Sequence, residues 1–275
     1  MATRCNPHFL IRATLAVMLI AAACSGQGKA GFLDDAAIAY GHHDFASALR
    51  LLQPPAKQGN ATALNFLGLM YEHGQGVPQD DVAAADLYRK AADKGLAAAQ
   101  YNLGSMYRTG RGVTQDYPEA AKWYAKAAAQ GLAAAQNDLG VMYEKGLGVP
   151  RDYSAAIMLY RRGAEQGHAA AQSNLGIMCM KGQGMPQAYH EAITWFRRAA
   201  DQGNAGAQYN LGIIYANGLG VPRDYAQAFL WFNLVAFRAP EKSIREMGIS
   251  ARDTVAELMA SPQVVKTKRP PQRRK

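Results

Sequence analysis

Five times between residues 74 and 224 the chain carries two glycines one residue apart, in GQGVPQD, GRGVTQD, GLGVPRD, GQGMPQA and GLGVPRD. Such a pair could cradle a phosphate on its backbone N–H groups. A phosphate loop, however, follows a strand and carries a lysine, and neither stands here. A turn between two helices, with glycine supplying positive φ, accounts for all five copies. Cys179 could be a nucleophile, but counted by 36 it falls in the column of Tyr71, Tyr107, Tyr143 and Tyr215. That is a core position, so a buried, inert thiol is expected. His42 and His43 beside Asp44 have metal-ligand types, yet adjacent histidines in a turn splay apart and Asp44 is placed to cap a helix. His73, His168 and His190 fall at unrelated repeat positions, and no Ser-His-Asp order or paired carboxylate set emerges. The sequence therefore predicts no catalytic residue, no cofactor and no metal, and a protein that is not an enzyme.

The elements behind these residues come from a repeat. LAAAQYNLGSMY at 96–107 returns at 132–143 as LAAAQNDLGVMY, and the period of 36 is marked by Gly68, Gly104, Gly140, Gly176 and Gly212. Gly59, Gly95, Gly131, Gly167 and Gly203 mark it a second time. A fixed period of this size means a solenoid, in which no unit can bury its apolar face alone. Ala99, Leu103 and Tyr107 lie at i, i+4 and i+8, one face of a first helix. Asp116 then caps a second, whose inner stripe is Tyr117, Ala120, Tyr124, Ala127 and Ala128, with Gly131 ending it. Gly104 and Ala120 are small enough to let the two helices approach closely.

The pattern A-x-x-x-L-G-x-x-Y-x-x-G-x-G-V-P-x-D-Y-x-x-A-x-x-W-[YF]-x-x-A-A-x-x-G resembles the Sel1-like repeat, a relative of the tetratricopeptide repeat. The resemblance implies an all-α fold, a right-handed α/α superhelical solenoid of helical hairpins, and a role as a protein-interaction scaffold or adaptor. Bacterial members are commonly exported and often feed signalling or envelope regulation. Relatives discussed as acting on β-lactams carry a cysteine pair per repeat. This chain lacks those pairs, so that role does not carry over. Ala188 stands where the other full units have Asp, and Thr114 replaces Pro in the second. Both read as local softening.

Five repeats are expected over 60–238, behind a divergent hairpin at 31–59 and ahead of capping helices at 239–265, with Ser261-Pro262 starting a short last helix. Residues 1–30 read as a signal peptide: Arg4 and Arg12, then the apolar run ATLAVMLIAAAC, then small polar residues. That run is too short to span a bilayer, which takes roughly 20 apolar residues as a helix. The expected product is a periplasmic or secreted protein beginning at Gly31, with no transmembrane span after cleavage. The alternative is a lipoprotein anchored at Cys24, since Ala21-Ala22-Ala23-Cys24 approximates a lipidation motif. With Cys5 and Cys24 in or next to the leader, Cys179 is alone in the body, so packing rather than disulfides must hold the fold.

The net charge of +9 is an end effect: nine of the 30 basic residues lie in the leader or in KTKRPPQRRK at 266–275, leaving 21 against 21 acids. A neutral body argues against nucleic acid as a partner. The basic tail suits weak contact with an anionic surface. The expected partner is another envelope protein or peptide, held in the superhelix groove on positions opposite the Ala-Leu-Tyr stripe. In the second repeat these are Tyr101, Ser105 and Arg108, and stepping by 36 from Ser105 gives Leu69, Val141, Ile177 and Ile213. Tyr209 repeats Tyr101. Such an apolar column offers a ladder to a partner helix or peptide, or else packs neighbouring repeats. A cell-wall-directed hydrolase or ligand-binding protein is the alternative function, disfavoured because a catalytic constellation breaks repeat symmetry and few residues here do.

Overall fold

The computed structural model describes residues 31–261. The expected leader over 1–30, the lipid anchor at Cys24, the short helix from Pro262 and the basic tail lie outside the described residues. Thirteen α-helices and no strand occur among those described: α1 (Gly31–Gly41), α2 (Phe45–Lys57), α3 (Ala61–His73), α4 (Asp81–Asp93), α5 (Ala97–Thr109), α6 (Tyr117–Ala129), α7 (Ala133–Lys145), α8 (Tyr153–Glu165), α9 (Ala169–Lys181), α10 (Tyr189–Asp201), α11 (Ala205–Asn217), α12 (Tyr225–Arg238) and α13 (Lys242–Ala260). Within each of two compact units, successive helices pack as hairpins, an all-α repeat solenoid. The first unit ends at Asp152 and the second starts at Tyr153.

Local chemistry sets each hairpin. In the first unit, Asp80 and Asp116 accept N–H groups of the first turns of α4 and α6, and Asp224 does so for α12 in the second unit. α10 begins on Ala188, which offers no side-chain acceptor, as the sequence predicts. Its backbone at φ −142°, ψ 84° nearly matches that of Asp116 at φ −147°, ψ 99°, so an aspartate there needs no rearrangement. Ala188→Asp is expected to stabilise the protein by about 1 kcal/mol, read as a raised midpoint of urea unfolding. An unchanged midpoint would mean that the fourth repeat's helix start is already satisfied.

Four helical glycines, each following a leucine, leave room for an aromatic ring. A Cβ on Gly104 would lie 2.8 Å from the Tyr124 ring, and one on Gly68 2.6 Å from Tyr88. In the second unit Gly176 and Gly212 meet Phe196 and Phe232 in the same way. The ring of the second helix thus approaches the backbone of the first more closely than any side chain there would allow.

The inner stripe differs from the expected one. Ala99 and Leu103 are fully buried, but the third member is Met106, not Tyr107, and Met70, Met142, Met178 and Ile214 repeat it. A helix turns 100° per residue, so i+7 stays closer to the face of i than i+8 does. Tyr107 is pushed to the edge, half-buried, where its hydroxyl accepts from Arg89 Nη2 at 2.7 Å. In the second unit Tyr215 accepts from Arg197 at 2.6 Å. Cys179, by contrast, is entirely buried, in agreement with its expected core position.

From the second repeat onward, a buried glutamine braces the end of the preceding helix. Gln100 Nε2 donates to the Ala92 carbonyl in the last turn of α4, and Gln136 donates to Ala128 in the same way. In the second unit Gln172 and Gln208 treat Ala164 and Ala200 alike. Each of these carbonyls already accepts the N–H of the glycine three residues on, and the glutamine serves its second lone pair while tying the next helix to that turn. One ion-pair network also ties the first two repeats together. Arg111 donates to Glu72 at 2.8 Å and to Asp81 at 2.7 Å, while Tyr88 donates to Glu72 at 2.6 Å. At the far end α13 packs on α12, with Gly248 against Val235 and the Ala236 backbone.

Candidate partner-binding surface

The expected surface lies on the first helix of each hairpin. In the first unit Leu69, Ser105 and Val141 are half-buried; in the second, Ile177 and Ile213 are half-buried. The helical spacing that buries Leu103 and Met106 leaves the Ser105 position at the edge of the core. Leu69 and Ile213 each press one side on a core cluster, so the column shares its surface between packing and solvent.

Beside the column the first unit carries an aromatic and charged cluster. Tyr101 stacks on Tyr124 with ring centroids 5.5 Å apart, and its hydroxyl donates to Asp138 Oδ2 at 3.1 Å. Asn137 donates to the other oxygen of Asp138 at 2.9 Å. Arg108, exposed at the rim, donates through Nε to the Tyr124 hydroxyl at 3.1 Å. Burial, followed by the Asp138 charge, pushes the Tyr101 hydroxyl well above the ordinary tyrosine range. The phenol therefore stays protonated and donates. Tyr101 is half-buried, and its hydroxyl is committed to Asp138. Tyr209 in the second unit lies on Phe232 at 5.3 Å and is likewise half-buried. The structure thus brings Tyr101, Ser105 and Arg108 together, with Tyr124 and Asp138 joining them. Sequence reasoning missed Asp138, although Asp stands there where three of the other four copies hold Asn102, Asn174 and Asn210 and the first holds Phe66.

The residues with chemical potential are placed elsewhere. Cys179 has its sulfur 3.8 Å from that of Met185, and burial, with Glu191 adding to it, pushes its thiol up to about 11 from 9.0. Because the thiolate is the reactive form, the neutral-pH population falls about a hundredfold from that shift alone. Labelling by a thiol reagent is expected to be slow at pH 7.5 in the native state and fast in denaturant. Rapid native labelling would contradict the core placement. His42 and His43 are exposed, and His43 adopts φ 62°, stacking edge-on against Phe45. Among the described residues no three metal-ligating side chains gather, and no helix is long and apolar enough to cross a membrane.

Comparison with known proteins adds the following. The family model described as Sel1 repeat matches five successive segments, 61–96, 97–132, 133–168, 169–204 and 205–236. The chain is similar to the crystal structure of a Sel1 repeat protein from Oxalobacter formigenes, with 31% identity, TM-score 0.70, and 81% of this chain and 99% of that one covered. It is also similar to a protective antigen of uropathogenic Escherichia coli displaying an SLR fold, with 33% identity and TM-score 0.71. There 87% of this chain is covered, and it spans only 56% of the antigen. A search of the curated proteins gave no match.

Proposed function

We infer the function from one premise: the chain belongs to the Sel1 repeat family, whose fold is commonly a protein–protein interaction scaffold. The proposed role is an exported, periplasmic adaptor that binds another envelope protein on the first-helix column and does no chemistry of its own. The observation that carries this reading is the half-buried apolar column, Leu69 and Val141 in one unit and Ile177 and Ile213 in the other. A residue needed only for packing is buried, and one needed only for solubility is polar; this column is neither. Tyr101 and Tyr209 flank it with aromatic surface, and Arg108 supplies charge at its rim, the residue types that carry most binding energy at interfaces.

Export rests on the layout of residues 1–30, with the basic tail available for weak contact with an anionic surface. The test is capture. Immobilised protein lacking residues 1–30 is incubated with envelope extract and with cytosolic extract of the same cells. The adaptor role expects a discrete protein retained from the envelope fraction. Retention only from cytosol would overturn the location, and no retention from either fraction would overturn the role.

A further inference from the structure

The repeat pattern breaks at four positions of the first unit, and all four line one hollow. Counting by 36, Leu87 stands where Trp123, Trp195 and Trp231 stand in later repeats. Leu64 replaces the glutamine of Gln100, Lys94 that of Gln130, and Lys57 stands where Asp93 does. The second repeat displays what these changes remove. There Trp123 is nearly buried, Lys126 Nζ sits 3.9 Å above its ring, and Leu103 of the same core cluster is fully buried. Gln130 closes the edge, donating to the Gly95 carbonyl at 2.9 Å and to Gln100 at 2.8 Å.

In the first repeat the indole and the glutamine pair are both gone. What remains is an open hollow of about 550 Å³, floored by Ala56, Leu64, Leu67 and Leu87 and rimmed by Lys57, Lys90 and Lys94. A second hollow of about 300 Å³ shares Leu67, Leu87 and Lys90 with it and runs on towards Tyr71 and Asp86. Leu67 keeps 7% of its surface exposed, whereas its counterpart Leu103 keeps none. Leu87 is only half-buried, whereas Leu159, the column's other leucine among the later repeats, is buried. The larger volume falls within the roughly 300–1,000 Å³ of ligand sites. No carboxylate lines it, so its charged rim consists of three exposed lysines around an apolar floor.

We propose that this hollow is an anchor site for a tryptophan in an acidic segment of a partner protein. The partner's indole takes the place against Leu67 and Leu87 that corresponds to the place of Trp123 in the second repeat. Lys90 caps its face as Lys126 caps Trp123, a cation–π arrangement. Carboxylates on either side of the indole meet Lys57 and Lys94, and the adjoining smaller hollow gives room for a second side chain. The two joined hollows favour an extended peptide over a compact small molecule. An aromatic side chain that leaves water for an apolar pocket is the usual centre of a binding hot spot. This inference rests on the interaction-scaffold reading but uses a different surface from the Val141 column.

The probe is a blocked, fluorescently labelled heptapeptide with one tryptophan between aspartates, titrated into the protein at low salt and followed by anisotropy. Saturable binding in the micromolar range is expected. Leu87→Trp fills the hollow with the chain's own indole and should weaken binding at least tenfold while the melting temperature holds or rises. The surface pair Lys57→Gln and Lys94→Gln should weaken it about tenfold and flatten its salt dependence, which keeps the test decisive even if Leu87→Trp folds poorly. The same peptide with alanine for tryptophan should bind at least tenfold more weakly. Equal binding by the alanine peptide, undiminished binding by Leu87→Trp with its fold intact, or no saturation by the original peptide at 1 mM would each overturn the site. Neither set of substitutions touches the Val141 column, so envelope capture through that column is a separate readout, and its loss or persistence judges the adaptor role alone.

Discussion

Replacing Gly112 with alanine is expected to destabilise the protein by about 3 kcal/mol or more, lowering its melting temperature by roughly 6–12 °C. Two effects add. Gly112 sits at φ +65°, where an L side chain is strained. In addition, a Cβ there would fall 1.9 Å from the Asp81 carbonyl oxygen, a clash with backbone that no rotamer relieves. The internal control is Gly131, at φ +90° with nothing within 4 Å of an added Cβ. Gly131→Ala should cost only the conformational strain, about 1–2 kcal/mol. The comparison is read from the two melting curves. Equal losses would show that the second glycine of the turn is there for φ alone; a much larger loss at Gly112 shows that the turn must also lie against the start of the preceding second helix. Gly148 against Tyr117 and, in the second unit, Gly220 against Tyr189 make the same close approach.

This turn marks where sequence reading reached and where it stopped. The 36-residue period, the aspartate caps, the missing cap at Ala188 and the positive φ of the paired glycines all follow from local rules, and the structure agrees with them. The contact of Gly112 with Asp81 joins neighbouring repeats, and no local rule contains it. Met106 was missed because the tyrosine column is the more conspicuous one, although the helical angle favours i+7 over i+8. The glutamine column at 100, 136, 172 and 208 was visible as a repeat, but its partner carbonyls lie eight residues back across a turn and become adjacent only in the folded hairpin. Tyr101 and Arg108 were legible as surface positions. Their link through Tyr124 and Asp138 was not, because it spans three helices.

The second large effect concerns binding. Val141→Ser together with Ile177→Ser should abolish envelope capture while the fold survives. Both side chains are half-buried, so each change loses a part of the usual large-to-small penalty, about 1 kcal/mol apiece. In a chain of this size that lowers the melting temperature by roughly 4–8 °C, with helicity unchanged. At a binding surface the same changes put two hydroxyls where a partner expects methyl groups, and truncating a central apolar contact costs about 1–4 kcal/mol of affinity each. Capture that disappears from a well-folded double variant supports the column as the binding surface. Capture that persists would move the surface elsewhere, and a fall in melting temperature well beyond 8 °C would make the column a packing device.

The most direct measurement places a photo-crosslinking residue at single positions and irradiates living cells. Val141 and Ile177 are the probe positions. Val82 and Met158, apolar and 64% and 51% exposed on second helices, are the controls. The account predicts that Val141 and Ile177 yield covalent adducts with one and the same envelope protein and that the controls do not. Adducts from Val82 and Met158 with none from Val141 or Ile177 would contradict it.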